Sequence, residues 1–132
     1  MQPKKVFFTI PIYFKKSKTK NTLIGMNWYR NAHHFESNKI KKEIHALVSD
    51  KMGASPTVPF YQFSVVYKLY SKRRNLDVMN VVSIVDKFVM DGLVVGGYIA
   101  DDSLEHFMGA TITPAEIDSL NPRMAITVSL HP

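Results

Sequence analysis

Cysteine is absent from the 132 residues, which excludes a disulfide framework and any thiolate zinc site and leaves carboxylate, amide or imidazole side chains as metal ligands. The six glycines are scattered and build neither a phosphate-cradling loop nor a dinucleotide fingerprint. No apolar run approaches the roughly 20 residues of a membrane helix. Val6 to Phe14 follows Lys4 and Lys5 as a leader would, but it contains Pro11 and meets Lys15, Lys16, Lys18 and Lys20 where a small-residue cleavage site would stand. A Ser-His-Asp site has no nucleophile elbow to support it. His45, His106 and His131 lack an i+4 partner, and the adjacent His33 and His34 should diverge in any regular element, so histidine zinc is disfavoured as well. Acids are the scarcer charge: 11 Asp and Glu stand against 17 Lys and Arg, for a net +6. The resulting field attracts polyanions, nucleic acid foremost. A soluble, cytoplasmic protein without a membrane anchor is expected.

What the chain does have is 45% hydrophobic and 21% charged residues, enough apolar surface for the core of one domain of ordinary size. Val6, Phe8, Ile10, Ile12 and Phe14 alternate as in a strand, and Pro11, which cannot donate to a ladder, assigns that strand to an edge or places the proline at its end. Lys15 to Ile24 reads as a basic loop or hairpin. Ile40, Ile44, Leu47 and Val48 recur at helical spacing from Glu36 to Met52, with Lys39, Lys41 and Lys42 on the outer side. Tyr61, Phe63, Val65, Tyr67 and Leu69 alternate through a second strand that runs into Lys72, Arg73 and Arg74.

Asp77 is a suitable N-cap for a long helix from Val78 to about Val95, which Gly96 and Gly97 should end. Val78, Val82, Val85, Val89 and Leu93 gather on its core side, and Asn80, Lys87 and Asp91 form a polar stripe opposite. Glu105 to Ile112 reads as a strand. Thr113, Pro114 and Glu116 form a capping box that predicts a short helix, and Met124, Ile126, Val128 and Leu130 alternate in a last strand. This order gives an α/β (α+β) fold: a single two-layer domain, residues 1–132, with a mixed sheet packed by two main helices.

Asp77, Asp91, Asp101 and Asp102 fall around one helix and the turn after it, just downstream of a Lys-Arg-Arg run. Hard cations such as Mg²⁺ bind carboxylate oxygens, and phosphodiester hydrolysis needs such an ion to stabilise the charge that develops at phosphorus and to lower the pKa of water. The pattern therefore suggests a nuclease; equally, Asp77 can be a helix cap and Asp101-Asp102 a turn. Trp28, Tyr29 and Arg30 can grip an unpaired nucleotide or pack beneath the first loop.

The string Asp77-Val78-Met79-Asn80, then Lys87, Asp91-Gly92-Leu93 and Asp101-Asp102, resembles the signature of RusA-type Holliday junction resolvases, phage-borne members above all. Asn27-Trp28-Tyr29-Arg30-Asn31 resembles the loop after that family's first strand. The resemblance implies a small α/β homodimer that binds branched DNA and makes paired incisions with Mg²⁺ or Mn²⁺ in recombination and repair, in the host cytoplasm for a phage protein. It implies catalytic roles for Asp77, Lys87, Asp101 and Asp102, and metal ligation by Asp77 and by Asp101 or Asp102, with Asp91 as a substitute ligand. It also implies DNA contacts from Asn27, Tyr29, Arg30, Lys72, Arg73, Arg74 and Asn80. Two features depart: Met79 stands where well-known members carry a second Asp, and the segment before Lys87 is four residues longer. The same scaffold without cutting activity would be a branched-DNA-binding module, and a phage effector that binds a host protein is a third reading.

Overall fold

The alternating strands find each other in register. In the computed structural model, which describes all 132 residues, β1 (Lys4–Pro11) and β4 (Gln62–Ser71) flank β7 (Arg123–His131), both antiparallel to it. Phe8, Ile126 and Tyr67 lie in one cross-strand row, and Ile10, Met124 and Leu69 lie in the next, so the period-2 apolar sets share one buried face. β5 (Phe107–Ile112) runs parallel to β4, with β6 (Glu116–Ile117) continuing that edge, giving the order β1-β7-β4-β5. β2 (Tyr13–Lys15) and β3 (Asn21–Leu23) form the basic hairpin. Pro11 ends an edge strand, where its missing N–H costs no ladder bond.

Helices cover the buried face. α2 (His34–Met52) contributes Ile40, Ile44, Val48 and Met52, and α3 (Val78–Val95) contributes Val81, Val82, Ile84, Val85, Phe88, Val89 and Leu93. Short α1 (Met26–Asn31) lies against α3 through Trp28 and Tyr29, whose rings meet Phe88 edge-on at 6.3 and 5.8 Å. The opposite face of the sheet, with Phe7, Thr9, Val66, Lys68, Tyr70 and Arg123, is left uncovered. The result is a single small α+β domain of two layers, and none of its helices is long and apolar enough to cross a membrane.

Two local expectations are corrected. The capping box at Thr113 starts no helix, because its partners are taken. The Thr113 N–H and Oγ1 both donate to the Tyr67 carbonyl, at 2.9 and 3.3 Å, and Glu116 accepts from Lys68 Nζ at 2.8 Å, so the segment adds to the edge of β4 as β6. The strand expected from Glu105 begins at Phe107, since the N–H groups of His106 and Phe107 both donate to the Ser103 carbonyl and close a turn first.

His45 stands where α2 crosses α3: a Cβ on Gly92 would lie 3.2 Å from its ring, and its Nε2 is buried without a partner. Burial, then the Lys41 ammonium, holds this imidazole below its ordinary 6.5, with Asp91 and the Phe88 carbonyl opposing. The unfolded chain therefore binds the proton more readily than the folded one. The stability contributed here is complete above pH 6.5 and is lost as pH falls below that value through the depressed folded pKa. His45→Gln should flatten the acid side of a stability profile measured between about pH 7.5 and 5; an unchanged slope would remove His45 as its source.

Candidate functional site

β4 ends at Ser71, the one buried polar residue of the chain. Its hydroxyl donates to the Arg73 carbonyl at 2.6 Å and accepts from the Arg73 N–H at 3.2 Å, pinning the turn into α3. Lys72, Arg73 and Arg74 are consequently held exposed at the sheet end. The Lys72 ammonium lies 5.7 Å from the Tyr13 ring centroid, while Arg73 and Arg74 line a cleft of about 220 Å³ with Leu76 and Glu116.

Asp77 is the N-cap of α3, accepting from the Asn80 N–H at 3.2 Å. Asn80 continues the chain of contacts: its Oδ1 accepts from the Asn27 N–H at 3.0 Å, at the otherwise uncapped start of α1. It thus fastens α1 to α3. Gly25 makes that approach possible, since a Cβ there would sit 2.5 Å from Asn80 Nδ2. Gly25→Ala must push Asn80 off Asn27 and should destabilise the fold by about 1–3 kcal/mol. In the Asn80→Ala background the same change should cost much less. Equal costs in both backgrounds, read by chemical denaturation, would contradict the clasp.

Lys87 is exposed on the same side of α3, with its ammonium 6.0 Å from the Tyr29 ring centroid. Tyr29 and Trp28 are half-buried against Phe88, so these aromatics pack beneath the first loop, and Arg30 alone of the trio is exposed. Asp91 pairs with Lys41 of α2 at 3.7 Å. It lies about 21 Å along the helix axis from Asp77.

The acid that sequence reasoning missed is Asp86. It faces the sheet from the middle of α3, where the buried Tyr67 hydroxyl donates to its Oδ1 at 2.5 Å. Burial raises its pKa. The Tyr67 hydrogen bond opposes that shift, and the negative charge of Asp102 adds to it. Tyr67 is itself pushed well above its ordinary value, by burial first and then by Asp86. Of the Asp101-Asp102 pair, only Asp102 acts on α3 in this way. The Asp101 carboxylate turns onto its own loop, accepting from the Asp102 N–H and the Ser103 side chain, which lowers its pKa.

The acids named from sequence thus divide. Asp77 caps, Asp91 pairs with Lys41 and Asp101 ties its turn, while the charge of Asp102 is felt by the unforeseen Asp86. No three His, Asp or Glu side chains stand close enough to share an ion, so the set Asp77, Asp91, Asp101 and Asp102 does not fit one metal. Mg²⁺ is commonly held by one or two carboxylates together with water and substrate phosphate oxygens. The negative charge of Asp102, which adds to the effect of burial on Asp86, is the kind of like charge that a divalent cation relieves. Neither a protein-family model nor a curated protein matches this chain.

Proposed function

We propose that this protein is a divalent-metal-dependent, structure-selective endodeoxyribonuclease that cuts branched DNA of the Holliday-junction type, with Asp86 and Asp102 as its acidic pair. The observation that carries the reading is the Asp86 carboxylate: half-buried in the middle of α3, hydrogen-bonded by the Tyr67 hydroxyl, and raised first by burial and then by the negative charge of Asp102 from a separate segment. Lys87 is exposed on the same helix, about 100° around it from Asp86, and the Lys72-Arg73-Arg74 run is exposed where that helix begins. The motif resemblance supports the same class.

Asp86 and Asp102 would hold the ion, which when bound supplies positive charge at the scissile phosphate and lowers the pKa of a water nucleophile. Tyr67 fixes the Asp86 carboxylate by donating to one oxygen, leaving the other free. Lys87 offers a cation to the oxygen that departs from phosphorus. Arg73 and Arg74 hold flanking phosphates, and Lys72 adds charge over Tyr13. Asp77 and Asn80 act one step back, by setting the start of α3 and the seat of α1.

Each chain carries one such pair, whereas resolving a four-way junction needs two nicks, so the proposal includes a two-fold homodimer matched to the substrate's symmetry. One observation favours a second reading, a branched-DNA-binding module that does not cut: no third acid joins the pair. A cleavage assay on a synthetic four-way junction decides between them. Paired nicks that require Mg²⁺ or Mn²⁺ are expected; tight binding without nicks would establish the module. Binding should weaken steeply with salt, and Arg73→Glu with Arg74→Glu should flatten the slope by about two phosphate contacts.

A further inference from the structure

His33, His34 and Phe35 occupy the corner between α1 and α2. In place of the divergence expected of adjacent histidines, His33 stands outside the helix as its extended N-cap while His34 begins it, which brings the rings together. The centroids of His33 and His34 are 4.4 Å apart, His34 and Phe35 4.2 Å, and His33 and Phe35 5.0 Å. The His33 ring is steadied by accepting the Phe35 N–H at its Nδ1, at 3.3 Å.

All three side chains are exposed, and Phe35 is 72% exposed. None of them belongs to the core. The cluster is therefore an aromatic surface presented to solvent and held in shape by its own stacking, a feature that packing does not require.

Its surroundings are cationic. Arg30 is exposed just upstream, at the end of α1. On α2, Lys39 and Lys42 lie four and seven residues after Phe35, within about 40° of it around the helix and roughly 6 and 10 Å along the axis. Both are exposed. Among residues 30–42 the one acid is Glu36, which is partly buried. Lys41 is directed to Asp91 and does not join the stripe.

Exposed aromatic rings beside a row of ammonium and guanidinium groups match an unpaired nucleobase on a phosphate backbone, since any base stacks on an aromatic face while cations follow the strand. We propose that His33, His34 and Phe35 form a stacking platform for an unpaired base of the DNA, with Arg30, Lys39 and Lys42 on the adjoining phosphates. This rests on the DNA reading above. It moves the base contact from Trp28 and Tyr29, which are engaged by Phe88, to the next turn of the chain.

The test compares the affinity of the full chain for a single-stranded oligonucleotide and for a duplex of equal length. Phe35→Ala should weaken single-strand binding about tenfold or more and duplex binding by no more than about twofold, with Phe35→Tyr restoring the first. Because Phe35 is exposed, the variant is expected to fold, and its thermal transition checks this. If Phe35→Ala binds both DNAs as the parent does, or loses both equally, the platform is overturned while DNA binding stands. If the parent binds a synthetic four-way junction but neither linear DNA, the platform alone is overturned; if it binds none of the three, the platform falls together with the DNA reading itself.

Discussion

Asp86→Asn should reduce junction cleavage by about two to three orders of magnitude while leaving the fold as stable as before or more stable. The two halves of this result have separate causes. Cleavage falls because an amide is a poor ligand for a hard cation and cannot replace a carboxylate beside Asp102. Stability is kept because the Tyr67 hydroxyl can donate to the amide oxygen as it does to Asp86 Oδ1, and because a neutral amide removes the cost of burying the charge that raises Asp86, together with its repulsion by Asp102. Residues placed for function rather than stability behave in this way. Single-turnover cleavage and thermal denaturation on the same preparation check both halves. A variant that loses stability together with activity would make Asp86 a structural hydrogen-bond partner of Tyr67 and nothing more.

Phe88→Ala should cost about 3–5 kcal/mol of folding stability, a large share of the 5–15 kcal/mol typical of a domain. Phe88 is 1% exposed, and the rings of both Trp28 and Tyr29 pack against it in T-shaped contacts. Truncation therefore opens a cavity and removes the seat of α1 in one step. The chain has a single tryptophan, so Trp28 fluorescence reports on that seat directly. A red-shifted emission in the folded variant, below its unfolding transition, would show α1 released while the sheet persists. Unchanged emission with full loss of stability would mean that α1 is held by the Asn80 clasp alone. Since Lys87 lies over Tyr29, release of α1 should also lower the cleavage rate.

What was legible in the sequence follows a physical rule. α3 could be bounded because its signals are local: Asp77 accepts from Asn80 three residues on, and Gly96 and Gly97 close the other end. The strands could be read because their apolar residues alternate, and one register satisfies all three antiparallel neighbours. Thr113 and Glu116 misled because a capping box competes with any other partner, and here the neighbouring strand supplied Tyr67 and Lys68.

The site was only half legible for the same reason. Asp102 is named by the motif resemblance, and Asp77 by its place at the head of the helix. Asp86 escaped because its meaning is non-local: its hydroxyl donor comes from β4 and its charged neighbour from the loop before β5. One signal was available, an acid adjoining Lys87 in a helix otherwise rich in valine, but it points to a site only once Tyr67 is known to face it. Asp91 was read as a spare ligand, yet the pairing that occupies it comes from α2. Likewise, the stacking of His33 and His34 depends on where one helix begins, a boundary that periodicity locates only to within a few residues.

The central claim is that Asp86 and Asp102 together hold a divalent cation, and a Mn²⁺ titration followed by the electron paramagnetic resonance of the free ion tests it most directly. The account predicts saturable binding to the parent chain, abolished in both Asp86→Asn and Asp102→Asn and retained in Asp91→Asn, whose parent carboxylate is paired with Lys41. Mn²⁺ binding that survives in the Asp86 and Asp102 variants, or that disappears with Asp91, would contradict it.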